Sequence, residues 1–376
     1  MALSTLGSRS TALLDRRTLL RNTAAVSLGA LLPAIAGVGR AFAADPKSVE
    51  TLFIPTLLEG PLRGMIEQQA NVKVNNGAYT STFDVLTKLM SPGGARFDLA
   101  CGATDVIKFA ILGDQSGRER TQPINAQQVP NSRYISNLGR PDVLERDGKT
   151  YAVPVIWGYE SVVYNRDHVR EDDELTQSWG LLYSDKYAGR IAWMDAPYYT
   201  LFTAGLYMGH PDPHKADRKE LEEITRFVIS KKKNVRAMWQ TAAQAINLMA
   251  SGEVVAMYGQ IAARVALQRR GLNVTNNWPK EGLATWTLAF FVPKTAASSE
   301  GGFAVLNALL SGEVGAAITR QLGYPSCSTL ADGILSAEEK KAAGYDVVNR
   351  GYKLKPYNTP PVLTPWIEAW SRVKSA

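Results

Sequence analysis

Short apolar runs alternate with amphipathic helical stretches from residue 49 onward, and that alternation admits few folds. Residues 49–54 read as a first strand, and 61–69 as a helix with Leu62, Met65 and Ile66 on one face. Residues 72–74 form a short strand. Ser81 reads as an N-cap with Asp84 three residues on, opening a helix that turns Phe83, Leu86 and Leu89 inward. Pro92-Gly93-Gly94 stops it, and 97–101 reads as a buried strand. Units of this kind need helical crossovers between parallel strands, so the chain is expected to be α/β.

The pattern continues. Residues 151–157 form an apolar strand, followed closely by 162–165. Residues 217–233 are an amphipathic helix with Leu221, Ile224, Phe227 and Val228 on one stripe. Its acids come early and Lys231-Lys232-Lys233 come last, as the helix dipole favours, so the lysine run is read as a solvated helix end. Residues 242–250 are helical up to Gly252, 253–258 a strand, 261–270 a helix closed by Gly271, and 285–292 a long apolar strand. Thr364-Pro365 cap and start a last helix through Trp366 and Trp370. With 376 residues, 45% apolar and 20% charged, the chain has room for two domains of roughly 100–200 residues each. No repeat or long linker separates them, so two halves must be joined by several short strands.

At the N-terminus Arg16-Arg17 precede a weakly apolar stretch that ends in Ala41-Phe42-Ala43. A charged segment, a short apolar segment and small residues at A-x-A spacing form an export signal, and the paired arginines point to the twin-arginine route with cleavage after Ala43. No later segment reaches the roughly 20 apolar residues of a membrane helix. Part of the net charge of +7 lies in this leader, where Arg9, Arg16, Arg17, Arg21 and Arg40 oppose only Asp15. What remains is too scattered to imply nucleic acid. Cys101 and Cys327 are too few for a disulfide framework or a four-cysteine metal site, and their pairing stays open.

The chain has no phosphate-binding loop, dinucleotide fingerprint, nucleophile elbow or zinc-protease motif. His168, His210 and His214 are its only histidines. Pro211 and Pro213 break the helix that would align His210 with His214, so both are expected on a surface loop. No cofactor, metal or catalytic set is indicated.

Several segments in order resemble the periplasmic spermidine/putrescine-binding family of ABC importers. They are Val153-Pro154-Val155-Ile156-Trp157-Gly158 with Val163-Tyr164-Asn165; Ser178-Trp179-Gly180-Leu181-Leu182; Tyr187-Ala188-Gly189-Arg190-Ile191 with Met194-Asp195; and Val235-Arg236 with Trp239. Ser251-Gly252-Glu253-Val254, Pro279-Lys280-Glu281-Gly282 with Trp286, Val292-Pro293-Lys294 and Leu322-Gly323-Tyr324-Pro325 complete the set. The resemblance implies a type II periplasmic binding protein: two α/β lobes, crossing hinge strands and a central cleft that closes on its ligand. The expected division is 46–155 with 286–325 in one lobe and 156–285 with 326–376 in the other. It also implies a monomeric, non-enzymatic protein of the periplasm that delivers a small polar organic solute, a polyamine or other amine first, to an inner-membrane ABC permease.

A polyamine site needs carboxylates for ammonium ends and aromatic faces along methylenes. The resemblance carries over Asp195 as a cleft carboxylate and Trp286 as a stacking ring. Elsewhere the chain departs from the family: Tyr198 stands where an acid is expected, Leu288 replaces an aspartate, Ala103 and Asp105 replace a serine and a tyrosine, and Met257-Tyr258 replaces an aromatic–polar pair. The further cleft candidates are Glu59, Thr104, Asp105, Glu160, Tyr198, Tyr199, Tyr258 and Tyr324. Rival functions are a secreted hydrolase or redox enzyme, and a ferric-ion-binding protein of the same fold using Tyr198-Tyr199.

Overall fold

The computed structural model describes residues 47–376 apart from 80, 92–95, 113–119, 137–143, 348–349 and 361. The expected export segment and the Pro92-Gly93-Gly94 stop lie outside the described residues. In chain order the elements are β1 (Ser48–Leu52), α1 (Leu62–Ala70), β2 (Lys73–Asn76), α2 (Thr82–Met90), β3 (Leu99–Ala103), α3 (Thr104–Leu112), the hairpin β4 (Glu145–Arg146) and β5 (Lys149–Thr150), and β6 (Val153–Asn165). Then follow β7 (Ile191–Met194), α4 (Pro197–Tyr207), α5 (Arg218–Lys231), β8 (Val235–Trp239), α6 (Ala242–Ala250), β9 (Ala256–Gln260), α7 (Ile261–Arg269) and β10 (Val274–Asn276). The chain closes with β11 (Leu283–Phe291), α8 (Ser299–Leu309), α9 (Gly312–Leu322), α10 (Ala337–Ala343), β12 (Leu354–Pro356) and α11 (Thr364–Ser375).

Local sequence accounts for the clearest helices. Asp217 caps α5 and exchanges bonds with Glu220 in a reciprocal box, and Thr241 does the same for α6 with Gln244. Ser81 caps α2 as its spacing predicts, but Phe83 is 38% exposed rather than inside. The buried stripe of α2 is Val85 and Leu89, one turn apart, and Phe83 lies two residues off that stripe. At α11, Pro365 sits in the first turn, while the cap is Leu363 and Thr364 is already helical.

One mixed sheet runs through the described residues in the order β2-β1-β3-β11-β6-β9-β7-β8, with β10 on β6 and β12 on β11. The outer strands pair parallel, as crossover helices require, whereas β11 pairs antiparallel with both β3 and β6. The two apolar runs expected at 151–157 and 162–165 are one strand, β6. Its first half lies between β11 and the segment around Ser326, with Trp157 N–H on the Pro325 carbonyl and Cys327 N–H on that of Val155. Its second half lies between β9 and β10. The β6–β11 register slips between Leu288 and Ala289, opposite Pro154, which has no N–H for the ladder.

Two large cores flank the middle of this sheet. Phe53, Leu62, Cys101, Ile156, Phe290, Val305, Leu309, Val314 and Val347 belong to the first. Val162, Trp179, Trp193, Leu201, Phe202, Trp239, Tyr258, Trp366 and Trp370 belong to the second. Cys327 and Val347 pack in the first core, although the expected division places 326–376 in the other lobe. The chain reaches the second core only with Tyr357 and Trp366, after β12 has crossed beside β11. A three-residue strand carries too little pattern to mark that return. Cys101 and Cys327 are buried free thiols, and burial pushes the Cys101 thiol up to about 12.

Candidate functional site

The strands that pass between the cores carry polar side chains where an ordinary buried strand is apolar. Glu160 on β6 sits directly opposite Gln260 of β9, and the Gln260 amide donates to its Oε1 at 3.0 Å. Side chains alternate across a strand, so Gly158 and Glu160 share a face, as do Tyr258 and Gln260. On that face the Tyr258 hydroxyl donates to Glu160 Oε2, and the Tyr357 hydroxyl, just past β12, donates to the same oxygen at 3.2 Å and touches Tyr258. Glu160 is 4% exposed, and burial, which disfavours the charged form, pushes its carboxyl up to about 7.

A second carboxyl completes the arrangement. Asp105, in the first turn of α3, accepts the Tyr198 hydroxyl at 3.0 Å, and the Tyr199 hydroxyl lies 3.1 Å from that of Tyr198. Tyr198 and Tyr199 are held by the first turn of α4, which Pro197 opens. Thr359 donates to the Asp105 backbone oxygen at 2.6 Å. Burial raises the Asp105 carboxyl, and its charge adds to the rise at Glu160. The rings of Tyr199 and Tyr357 meet edge to face at 4.6 Å, which joins the two carboxyls into one tyrosine-lined cluster. Burial and the two acids hold the hydroxyls of Tyr198, Tyr199 and Tyr357 well above their ordinary range, so they act as neutral donors. Lys108, one turn along α3, reaches Asn358 and the Thr359 carbonyl and lies within electrostatic range of Asp105.

Trp286 closes the face. It is paired with Gly158 across the β6–β11 ladder and packs against both cores. A methyl group at Gly158 would come 2.6 Å from its Cζ2, so glycine is what lets the indole lie across the strand. Tyr324 meets Trp286 edge-on at 4.9 Å. The indole Nε1 is buried and has no hydrogen-bond partner among the described residues.

The structure thus brings together Glu160, Tyr258, Tyr198, Trp286 and Tyr324 of the residues singled out from sequence, with Asp105 and Tyr199. Thr104 is buried beside Asp105 at the start of α3. Two others lie elsewhere. Asp195 is bound by Trp370 Nε1 at 2.7 Å, Gln240 Nε2 at 2.9 Å and Lys374 Nζ at 3.3 Å, and these partners hold its carboxyl below the usual range against the effect of burial. It ties α11 to the ends of β7 and β8. Glu59 is exposed beside Gly60, and its backbone oxygen accepts Leu62 N–H at 3.3 Å and Gln321 Nε2 at 3.2 Å. Tyr357, Gln260, Thr359 and Lys108 escaped the sequence reading; Tyr357 and Thr359 sit in a tail whose only local signal is the short β12.

His214 overturns the surface-loop expectation. It is 2% exposed and stacked on Phe202 at 4.1 Å, because Pro213 starts a short helical turn that aims the ring inward. Burial pulls its pKa down to about 3, so the ring is neutral. His210 lies nearer the surface, 3.7 Å from Glu220. Among the described residues no group of three His, Cys, Asp or Glu side chains is placed to hold a metal, and no single helix is long and apolar enough to cross a membrane.

A family model for bacterial extracellular solute-binding proteins matches residues 65–343. The spermidine/putrescine-binding periplasmic protein of Escherichia coli K12 is 27% identical over 304 residues, covering 79% of this chain and 83% of its own. The putrescine-binding periplasmic protein PotF of the same organism is 25% identical over 333 residues, covering 82% and 86%. The solved structure of the spermidine/putrescine ABC transporter substrate-binding protein PotD from Streptococcus pneumoniae superposes with a TM-score of 0.72 at 18% identity, covering 88% of this chain and 98% of that one. The likeness to PotD is one of fold.

Proposed function

Because the chain belongs to the bacterial extracellular solute-binding protein family, we propose that its cleft captures a small amine, a polyamine first, and that the protein hands it to an ABC permease of the inner membrane. It is a binding protein and not an enzyme. The observation that carries the amine reading is the buried pair Asp105 and Glu160, ringed by Tyr198, Tyr199, Tyr258 and Tyr357. Burial disfavours the charged form of both carboxyls, and a cation beside them offsets that cost, while neutral phenol rings suit the methylenes between ammonium groups. The names of the relatives point the same way.

The two cores support a division of labour between the lobes. The first lobe comprises the residues of the core around Phe53 and Phe290, with the adjoining cluster of Leu52, Ala100, Ile107 and Phe291, and supplies Asp105. The second comprises those around Trp193 and Trp366 and supplies Tyr198, Tyr199 and Tyr258. Glu160 and Trp286 stand on the strands between them, so lobe closure about those strands brings the two sets together. The protein works in the periplasm as a monomer, exported by the twin-arginine route and cleaved after Ala43. A thermal-shift screen against diamines, polyamines, amino acids, carboxylates and Fe(III) tests the reading. An amine should raise the melting temperature with saturation, as a ligand that binds only the native state does, and should be recovered unchanged. Stabilisation by Fe(III) or carboxylates with none by amines would end the amine reading.

A further inference from the structure

The donors and acceptors of the cleft are unequal, and the inequality constrains the amine. Glu160 already receives three donors: Tyr258 and Tyr357 on Oε2 and Gln260 on Oε1. Asp105 Oδ2 receives Tyr198 and, at 3.4 Å, Thr359. The ammonium of Lys108 offsets part of the acidic charge at the Asp105 end. Toward Trp286 the face is poorer in acceptors, since Leu288 stands on β11 where the resembling family has an acid. On the same face, the Trp286 N–H is buried without a partner, its ring packed between Gly158 and Tyr324. A diamine brings only donors and gains nothing from that N–H, whereas an acceptor oxygen would satisfy it.

We infer that the solute carries one ammonium group and, a few bonds away, a hydrogen-bond acceptor oxygen that takes the Trp286 N–H. This rests on the amine reading above and narrows it to amino alcohols, amino acids and their like. The ammonium replaces tyrosine or glutamine donors at Glu160, while the indole N–H distinguishes an oxygen-bearing chain from a plain alkylamine. Gly158 is part of the same device, since any side chain there would move the indole.

Calorimetric titration with butylamine, aminobutanol, aminobutyrate and putrescine, matched in chain length, tests this on the wild type and on Trp286→Phe, which keeps a ring and removes the N–H. In the wild type, aminobutanol or aminobutyrate should bind about tenfold tighter than butylamine, and tighter than putrescine. In Trp286→Phe the ratio of the aminobutanol to the butylamine constant should fall toward unity; a general loss of packing cancels in that ratio. Putrescine as the tightest ligand, or a ratio unchanged by the substitution, would overturn the inference while leaving the amine reading intact. Binding of none of the four would overturn both. The wild-type ranking decides the matter even if the variant does not fold.

Discussion

Glu160 is where folding and the proposed binding oppose each other. In the unfolded chain its carboxyl titrates at its ordinary value of 4.5, whereas burial holds the proton up to about 7 in the folded protein. The folded state binds the proton more tightly, so this contribution to stability is complete below about pH 4.5 and fades as the pH rises through 7, by about 3 kcal/mol in all. Glu160→Gln should remove that slope, which denaturant titrations of the ligand-free protein between about pH 5 and 8 would reveal. An arriving ammonium favours the ionised carboxyl, so amine binding should release a proton near pH 6 and weaken as the pH falls below about 7. Calorimetry in buffers of different ionisation enthalpy measures that release directly. The same Glu160→Gln variant should lose about 2–5 kcal/mol of amine affinity near neutral pH, the scale for unpairing a buried charge.

Elements show which features the sequence could announce. The capped helices α5 and α6 were readable because cap and stripe agree, whereas α2 was announced by its cap alone. Helix α4 gave no period because eight of its eleven residues are buried, so apolar side chains lie on every side. β6 read as two strands because Gly158 and Glu160 interrupt its apolar run. Under the proposed function those two residues serve the site, one by leaving room for Trp286 and the other as the buried acid. Gly158→Ala should cost about 1–3 kcal/mol by pressing on the indole, seen as a lowered melting temperature. Asp195→Asn should loosen α11 by about 1–3 kcal/mol through the weakened bonds to Trp370 and Lys374, and leave amine affinity where it was. Sequence resemblance placed Asp195 in the cleft because its position along the chain fits; only the reach of α11 reveals another use for the carboxylate.

For the molecule as a whole, the α/β class and the crossing strands were legible, since both rest on local pattern and order along the chain. The assembly of the cleft was not. Asp105 and Thr359 meet from opposite ends of the sequence, and so do Glu160 and Tyr357. Nothing in a linear pattern pairs residues that far apart. The continuous sheet has a further consequence for how the protein is made. β11 lies between β3 and β6, so until residues 283–291 leave the ribosome both neighbours have a bare edge. The first half also lacks α8 and α9, and the second half lacks α11 until residues 364–375 emerge. Neither half is complete before residues 283–291 emerge, so a nascent chain exposes unpaired strand edges to misassociation until that strand is made.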